Sequence, residues 1–221
     1  MSKSFSKTSI YFNYIEKGRR NIYGIEFPDG LSANQEFPMG TIITPTTKAK
    51  DGNDKELTQI EAKLIVDSKY GDGIWEKINI VSHNIFERAY IHCLARRLIL
   101  ADTKFEFGID ENGDLLLIDE LLTPECSRFW LLDAYKASVK LKRNAILDFD
   151  KDVLSRWINK KLHQEKSSIP KINSRIIQKM LKAYNKPHKI IIGHNLPEPI
   201  YDEILLSKIA LQTVRDFINL H

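Results

Sequence analysis

The apolar positions between residues 58 and 97 repeat with the period of an α-helix. Ile74, Ile78 and later apolar residues recur at intervals of three and four across residues 74–97, which places them on one side of a long helix. A shorter helix is predicted before it, because Thr58 and Glu61 have the spacing of a capping box and an apolar pattern continues from there to residue 70. The Gly-Asp-Gly run at residues 71–73 is expected to separate the two helices.

Residues 103–118 change to the pattern of a β-hairpin. Residues 103–109 alternate in a strand-like way, Glu-Asn-Gly at 111–113 is typical of a tight turn, and residues 115–118 are apolar enough for a buried strand. Because side chains alternate along a strand, Asp102, Lys104 and Glu106 are expected to share one face.

The rest of the chain completes the predicted architecture. The first 55 residues combine many turn signals with short β-branched runs, which indicates loops and short strands. Helices are predicted over residues 151–163, 173–184 and 201–220, with proline-bearing connections at 166–170 and 186–199. The predicted fold class is α+β, with a small antiparallel sheet or hairpin and long packed helices.

Composition limits the classes of protein to consider. With 221 residues, 43% of them hydrophobic, the chain is long enough to bury a core. It contains no apolar run of the roughly 20 residues that span a bilayer, and its opening residues lack a secretory signal, so the predicted compartment is the cytoplasm. The two cysteines, Cys93 and Cys126, suggest neither a disulfide framework nor a cysteine zinc site.

The charge is unevenly distributed along the chain. The net charge is only +4, but residues 136–189 contain 15 Lys or Arg and 4 Asp or Glu, an excess of 11. A solvated face is the first interpretation of this basic block, and binding of small phosphates is the second. Nucleic acid is the third interpretation, because the lysines have no interleaved aromatic residues and no RNA-binding signature.

A possible metal site follows the second hairpin strand. Asp119 and Glu120 are adjacent carboxylates after an apolar strand, and carboxylate oxygens are ligands that Mg²⁺ prefers. A lysine beside them would neutralise a phosphate. On the pattern alone, solvated charges at the strand ends or a cross-strand ion pair between Lys104 and Glu106 are the preferred explanation of these residues.

Two sequence blocks resemble a known enzyme family. The first comprises Asp-Thr-Lys-Phe-Glu-Phe-Gly at 102–108, Asp-Glu at 119–120, Thr-Pro at 123–124 and Ser-Arg-Phe-Trp at 127–130. The second comprises Phe-Pro at 37–38 and Thr-Pro-Thr-Thr-Lys-Ala at 44–49, with Thr-Ser at 8–9 upstream. Together they resemble the SAICAR synthetases, which implies the carboxyl-terminal lobe of that fold. Residues 1–135 would form the substrate and metal region, and residues 136–221 a basic, mainly helical part of the same domain.

The resemblance implies a ligase of purine biosynthesis. Such an enzyme joins carboxyaminoimidazole ribonucleotide to L-aspartate through an acyl phosphate, and it uses ATP and Mg²⁺. Lys104 and Glu120 would be catalytic, Glu106 and Asp119 would bind the cofactor, and Asp119 and Glu120 would hold the metal. The residues implied to bind substrate are Ser9, Thr47, Lys48, Asp54, Arg128 and Arg156.

Several of these residues have a structural alternative. Ser9 is equally suited to cap a helix over residues 11–17, and Thr47 and Lys48 are compatible with an ordinary turn. Arg128 is suited to stack on Trp130.

Two of the implied substrate residues depart from the family pattern. Asp54 lies where the family has a His-Asp pair followed by an acid. Arg156 is shifted by one residue from the family's arginine, which is a rotation of about 100° on a helix.

The resemblance begins after the family's amino-terminal ATP lobe, and the sequence contains no Gly-rich phosphate loop. Three explanations are open: a second polypeptide supplies the lobe, the chain is truncated, or ATP chemistry has been lost. The expected partners are therefore the small-molecule substrates and a protein partner or second copy that replaces the lobe. The alternative function is a non-catalytic protein that keeps a ribonucleotide-phosphate or partner-binding surface.

Overall fold

The computed structural model describes residues 8–48, 54–140 and 172–194, together with Leu154, Trp157 and Ile158. Arg156, the helix predicted at 201–220 and most of the one predicted at 151–163 lie outside these residues. Among the described residues, no helix is both long enough and apolar enough to cross a membrane.

The amino-terminal part folds around a cluster of aromatic side chains. A short π-helical segment, Phe12–Glu16, precedes a small hairpin of β1 (Asn21–Ile22) and β2 (Ile25–Glu26). The Tyr14 hydroxyl donates to the Pro28 carbonyl at 2.6 Å and accepts from the Leu31 amide at 3.1 Å. The buried members of this cluster are Tyr11, Tyr14, Ile22, Tyr23, Phe27 and Leu31.

Tyr23 is expected to make the folded state sensitive to alkaline pH. Its side chain is buried and its hydroxyl donates to the Thr8 carbonyl at 2.6 Å. Burial, with a smaller contribution from the Glu56 charge, raises its pKa to about 12. Because the folded pKa exceeds the unfolded value near 10, the folded state favours the neutral phenol. Its contribution is therefore complete below pH 10 and is lost between pH 10 and 12, by about 2 to 3 kcal/mol.

This loss is measurable by urea unfolding at about pH 9 and about pH 11.5. Replacing Tyr23 by phenylalanine should make the difference between the two pH values smaller by that amount. Tyr70→Phe is the matched control, because the Tyr70 side chain is about half exposed. An equal alkaline loss in wild type and Tyr23→Phe would contradict the assignment.

The two predicted helices are present. α1 (Gln59–Tyr70) begins at Thr58, whose hydroxyl accepts from the Glu61 amide at 3.2 Å while the Glu61 carboxylate accepts from the Thr58 amide at 2.7 Å, so the capping box is confirmed. α2 (Ile74–Leu94) ends three residues before the predicted end, and the chain then turns through residues 95–97. Asp67 accepts from the Trp75 amide at 2.9 Å and so joins the helices.

β3 (Leu98–Thr103) pairs with β6 (Ser127–Leu131), an antiparallel pair that the sequence pattern did not reveal. The register places Leu98 opposite Leu131 and Thr103 opposite Ser127, with an irregularity between Leu100 and Asp102. Short apolar runs are ambiguous between helix and strand, and the partner lies about 30 residues away. The two strands contribute three of the four buried residues of the second hydrophobic core, which consists of Cys93, Leu98, Leu100 and Phe129.

The predicted hairpin is formed by β4 (Glu106–Ile109) and β5 (Leu115–Ile118). The Asp110 carboxylate closes its turn by accepting from the Asn112 amide at 2.9 Å and the Asp114 amide at 2.8 Å. The strand predicted over 103–109 is divided, however. The chain leaves β3 at Thr103 and enters a separate two-stranded sheet at Glu106.

Two further helices have described bounds, Leu154, Trp157 and Ile158 are helical as the helix predicted over 151–163 requires, and the α+β class is confirmed. α3 (Leu132–Lys140) follows β6 directly, and α4 (Ser174–Ile192) begins at Asn173, whose side chain accepts from the Ile176 amide at 3.1 Å. The connection predicted to start at residue 186 is wrong, because α4 continues through Pro187. A proline removes one helical hydrogen bond, but burial of Pro187 and packing of Ile190 and Ile191 on the second core offset that cost.

Candidate functional site

Lys48 lies on a loop whose two ends are joined by backbone and side-chain hydrogen bonds. The Thr47 amide donates to the Lys55 carbonyl and the Lys55 amide donates to the Thr47 hydroxyl, both at 2.9 Å. Thr46 and Glu56 form a β-bridge beside this pair. Residues 49–53 of the loop lie outside the described residues. Thr47 therefore ties the two ends of the loop together.

Glu56 anchors this loop to the amino-terminal cluster. Its carboxylate accepts two hydrogen bonds from the Arg19 guanidinium, at 2.8 and 3.0 Å, and one from the Tyr23 amide at 3.2 Å. Arg19 also donates to the Asn13 side chain at 2.8 Å. No local sequence pattern indicates this anchor, because Arg19 and Glu56 are 37 residues apart.

The centre of the site is a carboxylate held between two lysines. The ammonium groups of Lys48 and Lys104 donate to opposite oxygens of Glu106. The Glu106 side chain is only 13% exposed, whereas those of Lys48 and Lys104 are 80% and 60% exposed. Lys104 first, and Lys48 second, lower the pKa of Glu106, so it is ionised at neutral pH. The fold thus joins the loop and the hairpin across 58 residues of sequence.

Two further predicted residues lie within electrostatic range of Lys104. Its pKa is raised chiefly by the hydrogen bond to Glu106, and the charges of Glu106, Asp54 and Asp119 also contribute. Asp119 has a φ of 65°, in the left-handed region that a residue with a β-carbon rarely adopts. Five predicted site residues, Lys48, Asp54, Lys104, Glu106 and Asp119, therefore form one charged cluster.

Glu120 belongs to a second hydrogen-bond network, which lies beside the charged cluster. Its carboxylate accepts from the Thr123 hydroxyl, and the Lys104 amide donates to the Cys126 carbonyl at 3.0 Å. The hydroxyls of Thr103 and Ser127 lie 2.9 Å apart across the strands. This network connects the segment after β5 to the end of β3, from which Lys104 extends.

Two predicted substrate residues have partners within the protein. The Ser9 hydroxyl accepts a hydrogen bond from the Phe12 amide at 3.1 Å. Ser9 therefore caps the first helical turn, which is the structural role that the sequence offered as an alternative to substrate binding. Arg128 donates to both oxygens of Asp102, each at 3.0 Å, on the paired strand. The Trp130 ring stacks on Tyr135 with centroids 5.8 Å apart. Asp102 thus faces Arg128, while Lys104 and Glu106 pair with each other.

The hairpin presents an apolar face beside the charged cluster. β5 is not a fully buried strand as its composition suggested, because Leu116 and Ile118 are 46% and 42% exposed. Glu106 lies opposite Ile118 and Gly108 opposite Leu116, so all four share one face of the hairpin. Since Gly108 has no side chain, the Ile118 side chain is left uncovered there. On the other face, Phe107, Ile109, Leu115 and Leu117 are partly buried.

Fold and site together define an α+β protein that carries lysines and carboxylates at the end of an exposed apolar hairpin. The family model for SAICAR synthetase matches residues 7–172. A putative phosphoribosylaminoimidazole-succinocarboxamide synthase 2 from Mesorhizobium japonicum is 32% identical over 213 residues, and its counterpart from Agrobacterium fabrum is 35% identical over 207. The chain belongs to the SAICAR synthetase family.

The solved structures agree with this membership. SAICAR synthase from Saccharomyces cerevisiae, complexed with SAICAR, matches with a TM-score of 0.66 and 26% identity over 85% of this chain and 57% of that one. A SAICAR synthetase in complex with ADP shares the fold at 23% identity and a TM-score of 0.54, over 76% of this chain and 57% of that chain. The alignments to the Mesorhizobium and Agrobacterium relatives cover 96% and 91% of this chain but only 66% and 63% of theirs.

Proposed function

We propose that this chain supplies the metal and substrate side of an ATP-dependent ligase that joins carboxyaminoimidazole ribonucleotide to L-aspartate. Membership of the SAICAR synthetase family supports this reaction. The main structural support for the proposal is that the ammonium groups of Lys48 and Lys104 both donate to Glu106, beside the exposed apolar face of β5. That arrangement combines the two surfaces that a nucleoside triphosphate requires.

The two surfaces fit different parts of ATP. The uncovered side chains of Leu116 and Ile118 suit the flat apolar face of an adenine ring. The two lysine ammonium groups at the Glu106 end suit the phosphates, because fixed cations offset the charge of the transferring phosphoryl group. Glu106 in turn directs both ammonium groups towards one place.

Asp119 and Glu120 are proposed to hold Mg²⁺. Within the described ranges no three His, Cys, Asp or Glu side chains form a metal cluster. Two carboxylates nevertheless fit this ion, because Mg²⁺ is commonly bound by one or two carboxylates with phosphate oxygens and water. When bound, Mg²⁺ would supply positive charge against the phosphate oxygens of ATP.

The proposed reaction has two steps. An oxygen of the substrate carboxylate attacks the γ-phosphorus of ATP, the bond to the bridging oxygen breaks, and ADP leaves. The aspartate amine then attacks the acyl carbon of the resulting acyl phosphate, phosphate leaves, and the nitrogen loses a proton. Lys48 and Lys104 stabilise the negative charge that develops in the first step, and Thr47 and Glu56 keep Lys48 in place.

A further polypeptide segment is proposed to cover the hairpin face. Leu116, Ile118 and the 46% exposed Leu121 leave apolar side chains uncovered beside the cluster. A separate polypeptide that supplies an ATP lobe, or a second copy of this chain, would enclose the nucleotide there. The proposed compartment is the cytoplasm, where the nucleotide substrates of such a ligase occur.

Binding of Mg-ATP to the purified chain, alone and mixed with candidate lobe proteins, tests the proposal by isothermal titration calorimetry. Ile118→Glu should weaken binding by about tenfold or more, because it places a charge on the apolar face near the phosphates. The matched control is Leu64→Glu, since Leu64 is 66% exposed on α1. If neither the chain nor any mixture binds Mg-ATP or forms ADP with both substrates present, the ligase proposal fails.

A further inference from the structure

All five charged residues of α4 are cations, and they form one stripe. Hereafter the cationic stripe means Arg175, Lys179, Lys182, Lys186 and Lys189, all of them exposed. Successive members are four, three, four and three residues apart, so on a helix they fall within an arc of about 80° and extend over about 21 Å. Residues 174–192 contain no Asp or Glu.

The packing of α4 fixes the direction of this stripe. Ile176, Ala183 and Pro187 are buried, and Ile190 and Ile191 pack against the second core. The Tyr184 hydroxyl donates to Glu125, in the segment before β6. The middle of the apolar side of α4 is therefore used inside the protein, and Ile177 and Ile192 are its exposed apolar residues. Insertion into a lipid surface would require a continuous exposed apolar side, which α4 does not present.

An ordinary solvated face does not account for the stripe. Cations three and four residues apart on a helix repel one another, and solvated helix faces usually mix the two signs. Within the part of the chain that the structure describes, Arg175, Lys179, Lys182 and Lys189 form no ion pair. α4 also lies beyond the residues that match the family model.

We propose that the cationic stripe docks an acidic helical segment of a partner protein. The 4-3 spacing averages 3.5 residues, which is the repeat that keeps one helix in register along another. A partner helix with Glu or Asp at the same spacing would place a carboxylate against each cation. A nucleic acid fits less well, because the exposed side of the stripe has no aromatic residue on which a base could stack. This inference does not depend on the ligase activity.

Two synthetic peptides of equal composition test the proposal. Both have about 21 residues and carry five glutamates, one peptide at 4-3 spacing and the other with the glutamates distributed around the helix. Binding to the full chain is measured by fluorescence anisotropy at two salt concentrations. The 4-3 peptide should bind at least fivefold more tightly than its isomer, and its affinity should fall as salt increases.

Variants of the chain locate the binding surface. The double variant Lys179→Glu/Lys186→Glu should bind the 4-3 peptide at least tenfold more weakly. A peptide with lysines in place of the two facing glutamates should restore part of the lost affinity. Lys69→Glu/Lys77→Glu, which makes the same charge change at exposed positions of α1 and α2, should change affinity less than twofold. Circular dichroism of both double variants reports whether α4 remains helical.

Three outcomes would overturn the proposal. Equal affinity for the two peptides would mean that only net charge matters. Equal losses in the two double variants would place binding elsewhere on the protein. Tighter binding of duplex RNA or DNA than of the 4-3 peptide, lost in the Lys179→Glu/Lys186→Glu variant, would assign the stripe to nucleic acid instead.

Discussion

Replacing Lys104 by methionine is expected to lower the turnover of the proposed ligase by about 100- to 1,000-fold while the fold stays intact. A fixed donor directed at developing negative charge contributes about 3 to 4 kcal/mol to a transition state, and methionine retains the length of the side chain without the charge. The fold should persist because the Lys104 side chain is 60% exposed and Glu106 keeps Lys48 as a partner. ADP formation with carboxyaminoimidazole ribonucleotide, L-aspartate and Mg-ATP measures the effect.

Two variants separate a direct role of Lys104 from a general effect of charge. Lys77→Met removes an exposed lysine from α2 and should leave turnover within about twofold of wild type. Lys104→Arg keeps the charge but changes its geometry, so it should retain more activity than Lys104→Met. Unchanged turnover in Lys104→Met, with normal thermal unfolding, would exclude Lys104 from the proposed reaction.

Truncating Phe129 to alanine should have the largest effect on stability, a loss of about 3 to 5 kcal/mol. The side chain is 1% exposed and contacts the core between β3, β6 and α2, so its removal leaves a cavity as well as losing apolar burial. A domain of this size is stabilised by only about 5 to 15 kcal/mol in total. Urea unfolding followed by tryptophan fluorescence measures the change.

Leu116→Ala is the matched control for this experiment, because it also truncates a large apolar side chain on a strand. Leu116 is 46% exposed on β5, so its loss should cost less than about 1 kcal/mol. It should instead weaken Mg-ATP binding if the hairpin face receives the base. A similar loss of stability in both variants would mean that the hairpin face is covered in solution.

The elements that were predicted correctly are those whose signals are local. Thr58 and Glu61 lie within one helical turn of each other, so the capping box was evident from spacing. The turn at residues 110–114 likewise closes on itself through the Asp110 carboxylate. Pro187 misled the prediction of α4, because a local helix-breaking signal was outweighed by burial against residues far away in the sequence.

The candidate site was predicted as a set of residues but not as an arrangement. The family motifs pointed to Lys48, Lys104, Glu106 and Asp119. Their spacing could not indicate that the loop lysine meets the hairpin carboxylate, since the contact crosses 58 residues. The pairing of Arg128 with Asp102 depends on the register of β3 and β6, which hydrophobic pattern alone does not determine.

Sequence alone was therefore sufficient for the local elements: the capped helix α1, the long helix α2, the β4–β5 hairpin and the motifs of the SAICAR synthetase family. Periodicity and side-chain chemistry act over a few residues, so they can be read without a fold. The folded structure was needed to show which face of the hairpin is exposed, which groups Ser9 and Arg128 contact, that two lysines converge on Glu106, and that α4 continues through Pro187 so that the cationic stripe is complete. Those facts depend on contacts between distant segments, whose geometry is set by packing and by backbone pairing.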